Sequence, residues 1–260
     1  MYPNEKRLVQ YINEITKNGN GIHDEDMSKL FNWDSYPILT IHIVLSSKLP
    51  SLFPVFYKAT SLCDFKLTCD PRLPLVTPVV AVNTAIARDL SSSLGICQCL
   101  MKLCLSGIGI TDEYLLELKP GLDKCFQLVE LDLSHNDISD CRPLSTLLNG
   151  GDFCLSLLDL SYNNIRVFSC EYIEDLNISM NPLGNKGCIF LWNIPGLRVL
   201  KIQSVLLTAL PDLSTSSLME LDISGNDACA GTPILPPGLV LKTNQTCSNT
   251  KHHILRSINS

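Results

Sequence analysis

Charge, histidine and aromatic residues are all scarce in this 260-residue sequence: charged residues make up 18%, aromatic residues 7%, and there are five histidines and two tryptophans. It holds no G-x-x-x-x-G-K-[ST] loop, no G-x-G-x-x-G, no H-E-x-x-H and no G-x-S-x-G, so the motif-borne nucleotide, zinc-protease and serine-hydrolase chemistries lack their residues. No apolar run is long enough to cross a bilayer. The most apolar stretch, residues 38–55, is broken by Ser46, Ser47, Lys48, Pro50 and Pro54. The opening MYPNEKRLVQ is charged and lacks the apolar segment of a secretory signal. An intracellular protein with no membrane partner is the expectation. Twelve cysteines are present, without the dense regular spacing of a disulfide framework. They are expected to be reduced thiols packed as small hydrophobes, and Asn177 and Asn244 carry little weight as sequons. Cys97 and Cys99 with Cys104 lack the paired C-x-x-C spacing of a zinc site, and Cys247 with His252 and His253 lies in the tail. No metal and no cofactor is expected.

Leucine fills 44 positions and apolar residues 45% of the chain, which excludes wholesale disorder. The net charge is −6, unevenly spread. Residues 97–235 carry 8 basic and 17 acidic side chains, residues 1–96 balance, and the tail from Pro236 carries +3. An acidic middle argues against direct nucleic-acid binding.

That acidic middle is also repetitive. In the frame L-x-x-L-x-L-x-x-N-x-L the chain gives LMKLCLSGIGI from Leu100, LVELDLSHNDI from Leu128 and LSLLDLSYNNI from Leu155. IEDLNISMNPL from Ile173, the weaker LRVLKIQSVLL from Leu197 and LMELDISGNDA from Leu218 follow. The fold class expected is α/β, a leucine-rich-repeat solenoid with a curved parallel sheet on the concave face and helices and turns on the convex one. Strands are expected at 103–105, 131–133, 158–160, 176–178, 200–202 and 221–223. Asn136, Asn163, Asn181 and Asn226 hold the ninth position as structural amides in four repeats, and Ile108 and Val205 hold it in the other two. Helices are expected from Asp112 through Leu122 and from Asp140 to Leu148, and none in the short step from Leu155 to Ile173. By domain, the reading is an N-terminal flank at 1–60 with one amphipathic helix from Glu5 to Thr16, a degenerate repeat or cap at 61–96, the solenoid at 97–235, and a closing element with a flexible tail at 236–260.

The third and fifth frame positions should face the concave side. They carry six acids: Glu130, Asp132, Asp159, Asp175, Glu220 and Asp222. Like charges this close repel by roughly 1 kcal/mol per near pair, and a partner with a basic surface would relieve that. This face is the expected partner-binding site, with Asp132, Asp159 and Asp222 expected to be exposed. The rival reading, that Asp before Leu-Ser is simply the usual residue of the repeat, leaves Glu130, Asp175 and Glu220 unexplained. His135 reads as a variable turn residue rather than a proton-transfer group. No constellation of catalytic groups is visible, so no enzyme is expected.

The spacing of the first two repeats resembles the ribonuclease-inhibitor-like class. LMKLCLSGIGITDEYLLELKPGL, LVELDLSHNDISD and IEDLNISMNPLGNKG together resemble the C-terminal leucine-rich segment of the Tonsoku-like proteins, over about half of the chain. The resemblance implies a nuclear scaffold for homologous-recombination repair at damaged replication forks, whose repeats dock a dedicated protein partner. Tetratricopeptide and ankyrin repeats are missing here, so the family's histone reading does not carry over. The alternative is a free-standing cytosolic leucine-rich regulator or enzyme inhibitor.

Overall fold

The computed structural model describes residues 39–45, 59–69, 83–149, 152–226 and 234–243, together with Lys6, Arg7, Gln10, Tyr11, Glu14 and Phe56. His23, Asn244, Cys247, His252 and His253 lie outside the described residues. Among the described residues, nine parallel strands form one sheet in chain order. They are β1 (Thr40–Leu45), β2 (Asp64–Cys69), β3 (Lys102–Cys104), β4 (Glu130–Asp132) and β5 (Leu157–Asp159). The remainder are β6 (Asp175–Asn177), β7 (Val199–Lys201), β8 (Glu220–Asp222) and β9 (Val240–Lys242). Each strand pairs only with its neighbours in sequence, as stacked coils require.

The leucine frame sets the register. Leu103, Leu131, Leu158, Leu176, Leu200 and Leu221 sit directly opposite one another across the ladder and are buried. Every repeat strand begins one residue earlier than the spacing suggests. The sixth-position residue still donates to the next coil (Leu105 N–H to Asp132 O, 2.8 Å; Leu133 N–H to Asp159 O, 2.8 Å), but its side chain has already turned into the core.

The sheet also runs past the six quoted frames at both ends. β1 falls in the apolar stretch that showed no period. Its sequence TIHIVL alternates over one strand only, with Ile41 and Ile43 buried and His42 and Val44 exposed. β-Branched residues suit such a pleat. Phe56 packs edge-on against Phe65 of β2, ring centroids 4.8 Å apart. Of the amphipathic stretch from Glu5 to Thr16, the five described residues are helical, and Tyr11 packs against the core.

On the convex side, α1 (Thr84–Leu94) is capped by Asn83, whose side chain accepts from the Ile86 N–H at 3.0 Å. Helix α2 (Asp112–Leu122) starts at Thr111, has Asp112 and Glu113 in its first turn, and buries Leu115, Leu118 and Leu122. A 3₁₀ turn at Arg142–Leu144, with Pro143 inside it, leads into α3 (Ser145–Leu148). No helix stands between β5 and β6, where the repeat is too short to hold one. Helix α4 (Gly184–Cys188) follows β6.

Helices α1 and α2 approach so closely that the Ser91 hydroxyl accepts from the Gly121 N–H at 2.9 Å. A Cβ at Gly121 would lie 2.1 Å from the Ser91 carbonyl oxygen. Gly121→Ala should therefore force the helices apart and cost roughly 1–3 kcal/mol, read by urea unfolding.

The ninth-position asparagines tie coil to coil. Asn163 accepts from the Ile138 N–H and donates to the carbonyls of Leu133, Leu160 and Ser161 at 3.0–3.2 Å. Asn136, Asn181 and Asn226 likewise accept from backbone N–H groups of the preceding coil and donate to carbonyls of that coil and their own. At Val205, where the amide is missing, the backbone substitutes: Gly184 N–H donates to the Val205 carbonyl at 2.8 Å.

The ten described cysteines are free thiols. Burial pushes Cys97, Cys125, Cys141 and Cys170 up to about 12, which suits inert apolar packing.

Candidate functional site

Two rows of side chains line the face of the sheet opposite the helices. From β3 to β8 the third-position row reads Lys102, Glu130, Leu157, Asp175, Val199 and Glu220. The fifth-position row reads Cys104, Asp132, Asp159, Asn177, Lys201 and Asp222. All six acids therefore share one face, but the two rows behave differently.

The fifth-position acids are bound into the fold. Asp132 accepts from the Ser134 N–H at 2.9 Å and from the Cys104 thiol at 3.1 Å. Asp159 accepts from the Ser161 N–H and hydroxyl at 2.8 and 2.6 Å, and from the Asn177 amide at 2.8 Å. Asp222 accepts from the Ser224 N–H at 3.0 Å and the Gln203 amide at 2.5 Å. Each carboxylate closes a local turn two residues ahead, where the strand leaves the sheet. This is the physical origin of the recurring Asp-x-Ser.

The expectation that all three are exposed is corrected accordingly. Asp132 and Asp159 are half-buried and Asp222 is 6% exposed. Burial pushes the Asp222 carboxyl up, but the Ser224 and Gln203 bonds and the nearby Lys242 outweigh it and hold the carboxyl below its usual range. Reversing these three charges would remove turn acceptors as well as charge, so it cannot leave stability untouched.

The third-position acids are tied to side chains or to nothing. Glu130 pairs with Lys102 and Glu220 with Lys242, both at 2.5 Å and in exposed positions. Asp175 is half-buried between Leu157 and Val199 in the neighbouring strands, and no hydrogen bond to its carboxylate is found among the described residues. Burial raises its carboxyl; Lys201 opposes that rise, while Glu220 and Asp159 add to it.

The lysines sit at the ends of the acidic run. Across β4–β6 the two rows hold four acids, Glu130, Asp132, Asp159 and Asp175, and no base. Asp112, an outer-face acid, is not idle either: it accepts from the N–H groups of Ser139 and Asp140 at 2.7 and 2.9 Å.

A third row went unread in the sequence. The residue just before each ninth position is left-handed, with φ of +56° at His135, +55° at Tyr162, +57° at Met180 and +50° at Ser204. The signal was there, since LSHND, LSYNN and ISMNP place His, Tyr and Met at one frame position. Tyr162 is 47% and Met180 41% exposed. His135 is a turn residue as expected, but its ring stacks on Tyr162 with centroids 4.1 Å apart and planes at 13°.

Among the described residues no group of three His, Cys, Asp or Glu side chains could hold a metal ion. No described helix is long and apolar enough to cross a membrane.

A family model described as Leucine Rich repeat matches residues 124–140 and 169–191. No curated protein matches the sequence. Solved structures do match. An internalin, InlF, from Listeria monocytogenes is 18% identical with a TM-score of 0.50, over 80% of this chain and 61% of its own. The chain thus spans about three fifths of that protein's length. Internalin C2 from the same organism is 16% identical with a TM-score of 0.56, over 93% of this chain and 92% of its own. TLR13, in a complex with ssRNA13, is 15% identical with a TM-score of 0.51, over 82% of this chain and 34% of its own. At such identities the likeness speaks to fold alone. The register, the asparagine rungs and these matches agree: the chain carries leucine-rich repeats and folds as a leucine-rich-repeat solenoid.

Proposed function

We propose that this chain is a non-enzymatic protein-interaction scaffold whose concave face docks a protein partner with a basic surface. The observation that carries the reading is the β4–β6 face, with four acids, no base, and an Asp175 carboxylate that accepts no hydrogen bond from any described residue. A carboxylate in that position gains most from a cation brought by a partner. The same charge opposes a phosphate backbone, so the RNA in the TLR13 complex is not carried over to this face.

The finer reading is a Tonsoku-like one: a nuclear scaffold in homologous-recombination repair at replication forks, with the repeats docking a dedicated partner. It is supported by the resemblance of LVELDLSHNDISD and ISMNPLG. In domain terms, residues 61–96 are a degenerate repeat or cap of the solenoid at 97–235, the segment from Pro236 closes it with β9, and residues 1–60 are a flank whose β1 extends the same sheet.

The test is capture from a nuclear extract by three proteins: wild type, Glu130→Lys/Asp175→Lys, and a control reversed at the exposed, off-sheet Asp152 and Glu171. The concave variant should lose basic proteins, repair factors among them, that wild type and control both retain. Identical captured sets from all three would overturn the site. Basic partners without repair factors, drawn from cytosol instead, would favour the cytosolic regulator.

A further inference from the structure

The turns that leave the sheet form a file along the rim of the concave face. Gly107, His135, Tyr162, Met180, Ser204 and Gly225 occupy the same place in successive coils, all with left-handed φ. Their backbones step from coil to coil: Gly107 N–H donates to the Ser134 carbonyl, His135 N–H to Ser161, and Tyr162 N–H to Ser179. The near-parallel stack of His135 on Tyr162 means that one face of the imidazole is covered by the coil ahead. Its other face is turned to the coil behind. There stands Gly107: a Cβ built on it would already lie at van der Waals distance, 3.8 Å, from the His135 Cβ, so a side chain at this place would lie against the imidazole, and glycine has none. The place beside the exposed imidazole that a side chain at this turn would fill is left to a glycine, a slot with the ring as its wall.

A group that takes the place of the missing side chain lies against the ring face at about the 4.8 Å spacing of adjacent coils, which favours a flat one. It is also drawn by negative charge. Asp132 leads into the same turn as His135, Asp159 leads into the next, and Glu130 and Asp175 complete an acidic run with no base on β4–β6. A guanidinium satisfies both conditions, being planar, cationic and able to stack on a ring; an ammonium satisfies only the second. A nucleobase would satisfy the first and bring phosphate with it.

We propose that the slot over Gly107, beside the open face of His135, receives an arginine side chain of the docked partner, its guanidinium stacked on the imidazole. The inference rests on the docking role of the acidic face and names the residue that this face selects. Charge brings the basic segment to the sheet, and the slot makes it prefer arginine to lysine.

The probes are fluorescent oligo-arginine and oligo-lysine peptides of equal length, titrated by anisotropy against the full chain. Wild type should bind the arginine peptide about fivefold more tightly. His135→Asn removes the ring while suiting the left-handed backbone; it should abolish that preference and leave oligo-lysine binding unchanged. Glu130→Lys/Asp175→Lys should weaken both peptides and keep their ratio. Equal wild-type affinities, or a preference that survives His135→Asn, overturns the slot while the docking reading stands. Failure of wild type to bind either peptide overturns both. A second readout does not depend on the variant's folding. The His135 ring C–H resonances of wild type should shift with oligo-arginine and not with oligo-lysine, and identical shifts with both would contradict the proposal.

Discussion

Leu131→Ala is expected to lower the free energy of unfolding by about 2–5 kcal/mol. Leu131 is fully buried at the centre of β4 and lies opposite Leu103 on one side and Leu158 on the other. Its side chain therefore contributes to the packing of three coils. The neighbouring coils are held by backbone ladders on both sides, so they cannot collapse into the space, and a cavity remains. Urea unfolding followed by circular dichroism reads the loss. Val129→Ala is the contrast, since Val129 precedes the strand and lies outside the buried core. A Leu131→Ala variant as stable as wild type would mean that the strand register is wrong.

Asn163→Ala should cost roughly 3 kcal/mol, most of it from backbone groups left without partners. The Asn163 amide is 5% exposed and serves the Ile138 N–H and the carbonyls of Leu133, Leu160 and Ser161. Water cannot replace these bonds without entering the core. The adjacent Asn164 is exposed, and among the described residues it bonds to the exposed Asp137 side chain and, through its backbone, to Ile138 alone. Asn164→Ala should cost about 0.5 kcal/mol or less. Thermal unfolding of the two variants side by side measures the difference, and similar melting temperatures would refute the rung.

The repeat was legible because the burial of Leu103, Leu131, Leu158 and their counterparts imposes a spacing that survives variation elsewhere. Helix α2 was legible from its apolar stripe and its acids. β1 was not, since TIHIVL pairs with only one described strand, follows no leucine frame and sits beside proline-broken sequence. The acidic face was legible as charge but not as chemistry. The sequence shows Asp132 and Asp175 as equivalent acids of one surface. Only the fold separates a carboxylate that closes its own turn from one that accepts no hydrogen bond among the described residues. The stack of His135 on Tyr162 escaped for a related reason. Each residue looks like variable turn filler until the coils are superposed, and stacking is a relation between coils.

On the proposed reading, the third-position acids serve a partner while the fifth-position acids serve the fold. The most direct measurement compares Glu130→Lys/Asp175→Lys with Asp132→Lys/Asp159→Lys for oligo-lysine affinity and melting temperature together. The first pair should keep its melting temperature close to wild type and lose salt-sensitive binding. The second pair should melt well below wild type, because it strips the acceptors of the Ser134 and Ser161 turns. If the first pair binds as wild type does, or if the second melts as wild type does, the division of labour across the concave face is wrong.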